Sequence, residues 1–162
     1  MTDDGGGSSG SGKRIFQGVA ALAAAAGEHL GHSGWRQITQ AQIDGFADAT
    51  GDHQWIHVDV ERAADGPFGG TVAHGYLTLS MVPTFGQEVF GVEGITMAIN
   101  YGLERVRFPA PVPVGSRVRA GIEIREVIES AQGVRVGYRY TIELEGSDKP
   151  ACVAETLVLY IP

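Results

Sequence analysis

The chain has 162 residues, 43% of them hydrophobic and 19% charged, which is a globular balance at the size of one domain rather than that of a disordered or fibrous chain. A formal net charge of -7 argues against a phosphate backbone as partner, so no nucleic acid is expected, although a local basic patch would still suit a small phosphorylated ligand. The single cysteine, Cys152, rules out an internal disulfide and fits a reducing, cytoplasmic setting.

Residues 1–12 are rich in Gly, Ser and Asp and have almost nothing to bury. A disordered tail is expected over 1–14, followed by one domain over 15–162. Lys13 and Arg14 ahead of the alanine-rich run Phe16 to Ala26 imitate a secretion signal. Asp3 and Asp4 precede it, the run is short, and Glu28 and His29 follow at once. A short amphipathic helix over that run, ended by Gly27, is the simpler expectation. No run reaches the roughly 18 apolar residues of a membrane span, so no membrane is expected as a partner.

A second helix is signposted by Thr39 as cap with Gln42 three residues later, a capping-box spacing. Ile43, Phe46 and Ala47 share a face, and Gly51 supplies the C-terminal turn. The stretch from Gly51 to Gly70 is irregular, with Asp59 placed to cap a brief helix through Glu61, Arg62 and Ala63. After His74-Gly75 the run Tyr76 to Phe85 is apolar or small on most sides, which predicts one long buried helix. Pro83 inside it predicts a kink or an early end.

From Gly94 onward the apolar period is two. Ile95 to Tyr101 and Leu103 to Phe108 read as strand, followed by three long strands around Val118–Ile124, Val134–Leu144 and Val153–Leu159. Gln132-Gly133 and Gly146-Ser147-Asp148 are the turns. A buried helix followed by consecutive antiparallel strands predicts an α+β fold, a sheet wrapped round one helix.

The chemistry is concentrated in Gly51-Asp52-His53-Gln54-Trp55-Ile56-His57. Five residues apart, Asp52 and His57 would not share a helix face, but in a loop after a helix they can converge on one water as a general acid–base pair. Spacing alone does not decide this, since both residue types are common in loops. His74-Gly75 opens the buried helix, where a glycine allows close approach to the backbone and free N–H groups can hold an oxyanion. Taken alone, it reads better as a plain helix start.

In this order, Gly51-Asp52 with His57, then His74-Gly75 before an apolar helix, then Phe108-Pro109-Ala110-Pro111-Val112-Pro113-Val114-Gly115, the chain resembles the MaoC-like (R)-specific enoyl-CoA hydratases, and a mycobacterial-type branch of them in particular. The resemblance runs from about residue 37 to the C-terminus and implies a hot-dog fold and a homodimer. It implies water addition to a trans-2-enoyl thioester, carried by CoA or an acyl-carrier protein, giving the (3R)-hydroxyacyl thioester in fatty-acid metabolism. By the same resemblance Asp52 and His57 are the catalytic pair, with His57 mainly activating water and Asp52 mainly serving Cα. Gly75 polarises the thioester carbonyl through its N–H. Where the commoner pattern has Asn-Pro, this chain has Gln54-Trp55, and Gln54 keeps an amide able to orient the pair or the water. His74 is expected to hydrogen-bond at the helix start and His53 to be solvated. No cofactor is expected, because CoA enters as part of the substrate, and no Cys/His spacing suggests a metal. Arg105, Arg107, Arg117 and Arg119 are candidates for CoA phosphates, or simply solvated strand charges. An acid and base on one side of the enoyl plane predict syn addition. Two other readings share the fold: a thioesterase, which this helix disfavours because its nearest carboxylate, Glu88, comes late, and a non-catalytic acyl-binding or partner subunit.

Overall fold

The computed structural model describes residues 12–162. Of the tail expected over 1–14, residues 1–11 lie outside the described residues, while Arg14 begins the first strand. In chain order the elements are β1 (Arg14–Gln17), α1 (Val19–Ala24), β2 (His29–His32), β3 (Arg36–Gln37), α2 (Gln40–Thr50), α3 (Trp55–Val58), α4 (Val60–Ala64), α5 (Gly75–Ser80), α6 (Val82–Val89), β4 (Phe90–Glu93), β5 (Met97–Arg107), β6 (Arg117–Ser130), β7 (Gly133–Leu144) and β8 (Cys152–Ile161).

Six strands form one antiparallel sheet in the order β2-β6-β7-β8-β5, with β3 also paired to β6. The period-two pattern decides which face is dry. Val118, Ala120, Ile122 and Ile124 of β6 and Val134, Val136, Tyr138, Tyr140 and Ile142 of β7 are all buried, and the residues between them are not uniformly so. Against this face α6 lays Phe85, Gly86 and Val89. Phe85 is fully buried, a burial that stabilises by about 1.5–3 kcal/mol on area alone. This is the sheet-round-helix α+β arrangement that the sequence pattern predicts.

Two expected elements differ. The long helix over Tyr76 to Phe85 is two helices meeting at Met81, and the second continues to Val89. Pro83 is the cause: it has no N–H to give Leu79, so it is tolerated only within the first turn of a new helix, where it stands. The helix expected over Phe16 to Ala26 is shorter, and Phe16 belongs to β1. That strand pairs in parallel with β4 in a separate two-stranded sheet, an unexpected long-range pairing of chain segments 76 residues apart. The two runs around Gly102 are the single strand β5, with register shifts beside Gly102 rather than a break.

Between β6 and β7, Gly133 has φ 140, and a Cβ there would lie 2.4 Å from the Tyr160 carbonyl oxygen. Both the backbone conformation and the contact with a backbone atom exclude a side chain. Gly133→Ala is expected to destabilise the fold by about 2–3 kcal/mol, read as a fall in the urea midpoint. An unchanged midpoint would show that the hairpin can relax.

Candidate active site

The site is built where α2 ends. Thr39 accepts from Gln42 N and Gln42 accepts from Thr39 N, so the expected capping box is present and starts the helix at one residue. At the other end Gly51 is left-handed, with φ 81, and turns the chain out of the helix into Asp52. Asp59 caps α4 through Arg62 N, as its position suggested.

His57 is carried on the one-turn helix α3 and is only 7% exposed. It is therefore not a loop side chain. Its Nδ1 lies 2.7 Å from the carbonyl oxygen of Val72. A carbonyl only accepts, so Nδ1 carries the hydrogen and Nε2 presents a lone pair. Gln40 anchors the same turn: its amide donates to the His57 carbonyl at 2.8 Å and accepts from Thr71 Oγ1 at 2.6 Å. Val72 N in turn donates to Ile56 O at 3.0 Å. An imidazole held this way has one tautomer.

Asp52 is the opposite kind of group, with its side chain 54% exposed. The Gln54 backbone N–H reaches its carboxylate at 3.4 Å, whereas the Gln54 side-chain amide has no hydrogen-bond partner among the described residues. The structure therefore ties Gln54 to Asp52 through the backbone and not through the amide. His74 Nε2 donates to the Asp52 carbonyl at 2.9 Å, the helix-start hydrogen bond that was expected. Less expected is its ring, stacked on that of His57 with centroids 3.8 Å apart and planes 24° apart. One carboxylate oxygen of Asp52 and one ring nitrogen each of His57 and His74 all lie within 4.8 Å of one another. His53 stands apart, bound to Asp48 at 2.8 Å, and this hydrogen bond raises its pKa above the ordinary value.

Three such residues invite the question of a metal. Their geometry does not suit one. Imidazole ligands bind through lone pairs in the ring plane, and two stacked rings do not aim theirs at a common point about 2 Å from both nitrogens. His57 Nδ1 and His74 Nε2 are moreover committed to carbonyls.

Gly75 is the first residue of α5, so its N–H has no carbonyl within that helix. It donates to no other backbone carbonyl among the described residues. The helix has six residues, too few for a large dipole, so the N–H itself is the resource. A Cβ at this position would lie 3.0 Å from Phe108 Cγ, so the Phe108 ring covers its Cα more closely than a side chain would ordinarily allow. A cavity of about 310 Å³ opens here, lined by Gly75, Thr78, Phe68, Phe108 and Val112 among others. A second, more apolar cavity of about 360 Å³ lies further along the helices, with Leu79, Val82, Leu103, Tyr140 and Leu157 in its wall.

Of the four arginines, Arg117 and Arg119 are engaged by Glu145 and Glu143 at 3.2 and 2.7 Å, and both guanidinium groups lie over the Trp35 ring. Among the described residues Arg107 donates only to the neighbouring Val106 carbonyl, and it directly precedes Phe108. Sequence reasoning missed Gln40, Val72 and the His74 stack. Each acts through contacts to distant residues or the backbone, and leaves no local pattern to read.

A model of the MaoC-like domain matches residues 12–145. The 3-hydroxyacyl-thioester dehydratase Z of Mycobacterium tuberculosis is 58% identical over 149 residues, 91% of this chain and 99% of that protein. Nodulation protein N of Rhizobium leguminosarum is 46% identical over 138 residues, covering 82% of this chain and 84% of its own. Among solved structures, the (R)-hydratase from A. caviae involved in PHA biosynthesis superposes with a TM-score of 0.69 at 25% identity, over 85% of this chain and 96% of that one. An unliganded R-hydratase from Pseudomonas aeruginosa gives 0.68 at 22% identity, over 84% and 81%, and shows the same fold. With the ordered motifs in place on this fold, the chain belongs to the MaoC-like dehydratase family.

Proposed function

We propose that this chain is a hydro-lyase that adds water reversibly to a trans-2-enoyl thioester, on CoA or an acyl-carrier protein, giving the (3R)-hydroxyacyl thioester of fatty-acid metabolism. The observation that carries the reading is a base with a fixed tautomer, His57, beside the carboxylate of Asp52, with the unpaired N–H of Gly75 one residue after His74, whose ring stacks on His57. Water is a poor nucleophile, so His57 Nε2 takes one of its protons while its oxygen bonds to Cβ. The electron pair of the double bond moves toward the thioester oxygen, where Gly75 N–H meets the charge that develops. The proton then passes through Asp52 to Cα, and the pair returns to its starting charge. No separate cofactor enters, since CoA arrives with the substrate.

The thioesterase reading loses its carboxylate. Glu88 on α6 accepts from Gly34 N and from Arg36, a structural tie between β3 and the helix. The test is spectrophotometric. Crotonyl-CoA should lose its enoyl absorbance in the presence of the protein with no free thiol released, whereas thiol release would mark a thioesterase and no change a non-catalytic subunit.

The edge strand β5 supports the homodimer. Met97, Ile99, Tyr101 and Leu103 along it are each at least 41% exposed, and Tyr76 nearby in the fold's helix layer is 68% exposed. A bare edge with an apolar surface invites a second sheet. Light scattering at micromolar concentration should give twice the chain mass. The setting is cytoplasmic on this reading, in keeping with the free, buried Cys152, whose thiol burial pushes up to about 11.

Arg107 is the arginine best placed for a CoA phosphate, being unengaged by any carboxylate among the described residues and adjacent to Phe108 at the Gly75 cavity. Arg107→Ala is expected to raise KM for crotonyl-CoA about two- to fivefold at low salt with kcat little changed, the scale of one exposed ion pair. Equal KM values would remove it from the phosphate site.

A further inference from the structure

We infer that His74 is a positioning residue that sets the catalytic pair by holding Asp52 with its edge and His57 with its face. The inference rests on the assignment of Asp52 and His57 above, and assigns to His74 more than a helix-start hydrogen bond. The two catalytic side chains come from different elements, one from the loop after α2 and one from α3. No direct hydrogen bond joins them among the described residues, so something else must fix their relative position.

His57 has a single ring hydrogen bond, from Nδ1 to Val72 O. One such bond fixes the tautomer but leaves the ring free to rotate about that axis, which would swing Nε2 through an arc. The His74 ring, flat against it at 3.8 Å, removes that freedom. His74 is itself in contact with Phe46 of α2, with ring centroids 5.0 Å apart and planes 54° apart, and is only 2% exposed. Its backbone is locked as well, for the carbonyl accepts from both Leu77 N and Thr78 N. From this fixed ring, Nε2–H donates to the Asp52 carbonyl at 2.9 Å and lies 4.0 Å from the Asp52 carboxylate. Ring contacts thus run from Phe46 of α2, tilted against His74, to His57, stacked on it, and the edge of the His74 ring pins the acid.

A further feature separates this from a purely structural role. His74 Nδ1 is buried with no partner among the described residues. A buried acceptor left unpaired is destabilising, and a residue kept only for stability would be better replaced by an apolar one. What an apolar residue cannot supply is the donor to Asp52 together with the flat face for His57.

Two variants divide the functions. His74→Phe keeps an aromatic face and loses the donor, while His74→Gln keeps an N–H near the Nε2 position and loses the face. Each is expected to lower kcat for crotonyl-CoA hydration by about 10- to 100-fold, the effect of displacing a catalytic group by a fraction of an ångström to an ångström, with KM within about threefold of the parent. The spectroscopic readout is the ¹⁵N signals of His57. In the parent they should show one Nδ1–H tautomer, and in His74→Gln they should broaden or average as the ring gains freedom. Rates are expressed per folded protein, fixed by circular dichroism and thermal melting, so a loss of stability does not imitate a loss of positioning. Parental kcat in either folded variant, or parental His57 signals in His74→Gln, overturns the inference. If the parent itself hydrates no enoyl-CoA, the functional reading fails instead, and the ¹⁵N spectra still test the positioning.

Discussion

His57→Ala is expected to lower kcat for crotonyl-CoA hydration by about 10²–10⁴-fold, and Asp52→Asn by a similar factor, the range a positioned acid or base contributes. The two variants should part company in stability. His57 is 7% exposed and donates to Val72 O, so its removal leaves a buried carbonyl without a partner and a space under the His74 ring. A cost of about 1–3 kcal/mol follows. His57 is a buried residue of α3 and not the loop side chain that the sequence suggests, so its loss reaches the fold as well as the chemistry. Asp52 has a side chain 54% exposed, and Asn keeps an oxygen for Gln54 N, so Asp52→Asn should melt within about 0.5 kcal/mol of the parent. The measurement is steady-state kinetics beside urea denaturation on the same samples. Near-parental turnover by either variant would remove that residue from the chemistry. A Asp52→Asn variant that lost activity only in proportion to unfolding would do so too.

Hydration in deuterated water is expected to give a single diastereomer with oxygen at Cβ and deuterium at Cα on the same side. The reason is a distance. A reacting group approaches a planar enoyl carbon to about 3–3.5 Å, so groups serving opposite faces stand about 6–7 Å apart. An Asp52 oxygen and a His57 nitrogen lie within 4.8 Å of each other, which leaves no room for the plane between them. Acting from one face, the pair is expected to give syn addition. Nuclear magnetic resonance of the labelled product gives the relative configuration. An anti product would require a proton donor elsewhere and would break the pairing. The absolute hand at Cβ is a separate matter, set by which face the site presents, and the R configuration is the one expected on the proposed function. A syn product with S configuration would break that part alone.

Local interactions explain what was legible in the sequence. Thr39 with Gln42 and Gly51 at the far end mark α2 because capping is decided within one turn. The alternation through Val118–Ile124 and Val134–Leu144 marks the sheet because side chains of a strand point to opposite faces whatever the strand pairs with. Pro83 announced the break in the helices for a reason contained in its own ring, although its exact place required the structure. Asp52, His57 and Gly75 were readable as a set because their order resembles a known family, not because five-residue spacing proves an acid–base pair.

Other features depended on residues far apart in the chain. The parallel pairing of β1 with β4 could not be read from Arg14–Gln17, whose neighbours favour a helix, since the partner strand begins at Phe90. Gln40 touches Thr71, His57 meets Val72, and His74 lies on His57, and none of these contacts imposes a pattern on either local segment. Arg117 and Arg119 looked like free phosphate ligands until strand register set them against Glu145 and Glu143. Sequence alone marked Asp52, His57 and Gly75 as the candidate residues and placed most helices and strands, because those patterns depend on composition and on neighbours within a turn. Only the tertiary structure decided the tautomer of His57, the stack beneath it and the shared face of the acid and base, because these arise where separate elements meet and their backbone carbonyls and ring faces are brought into contact.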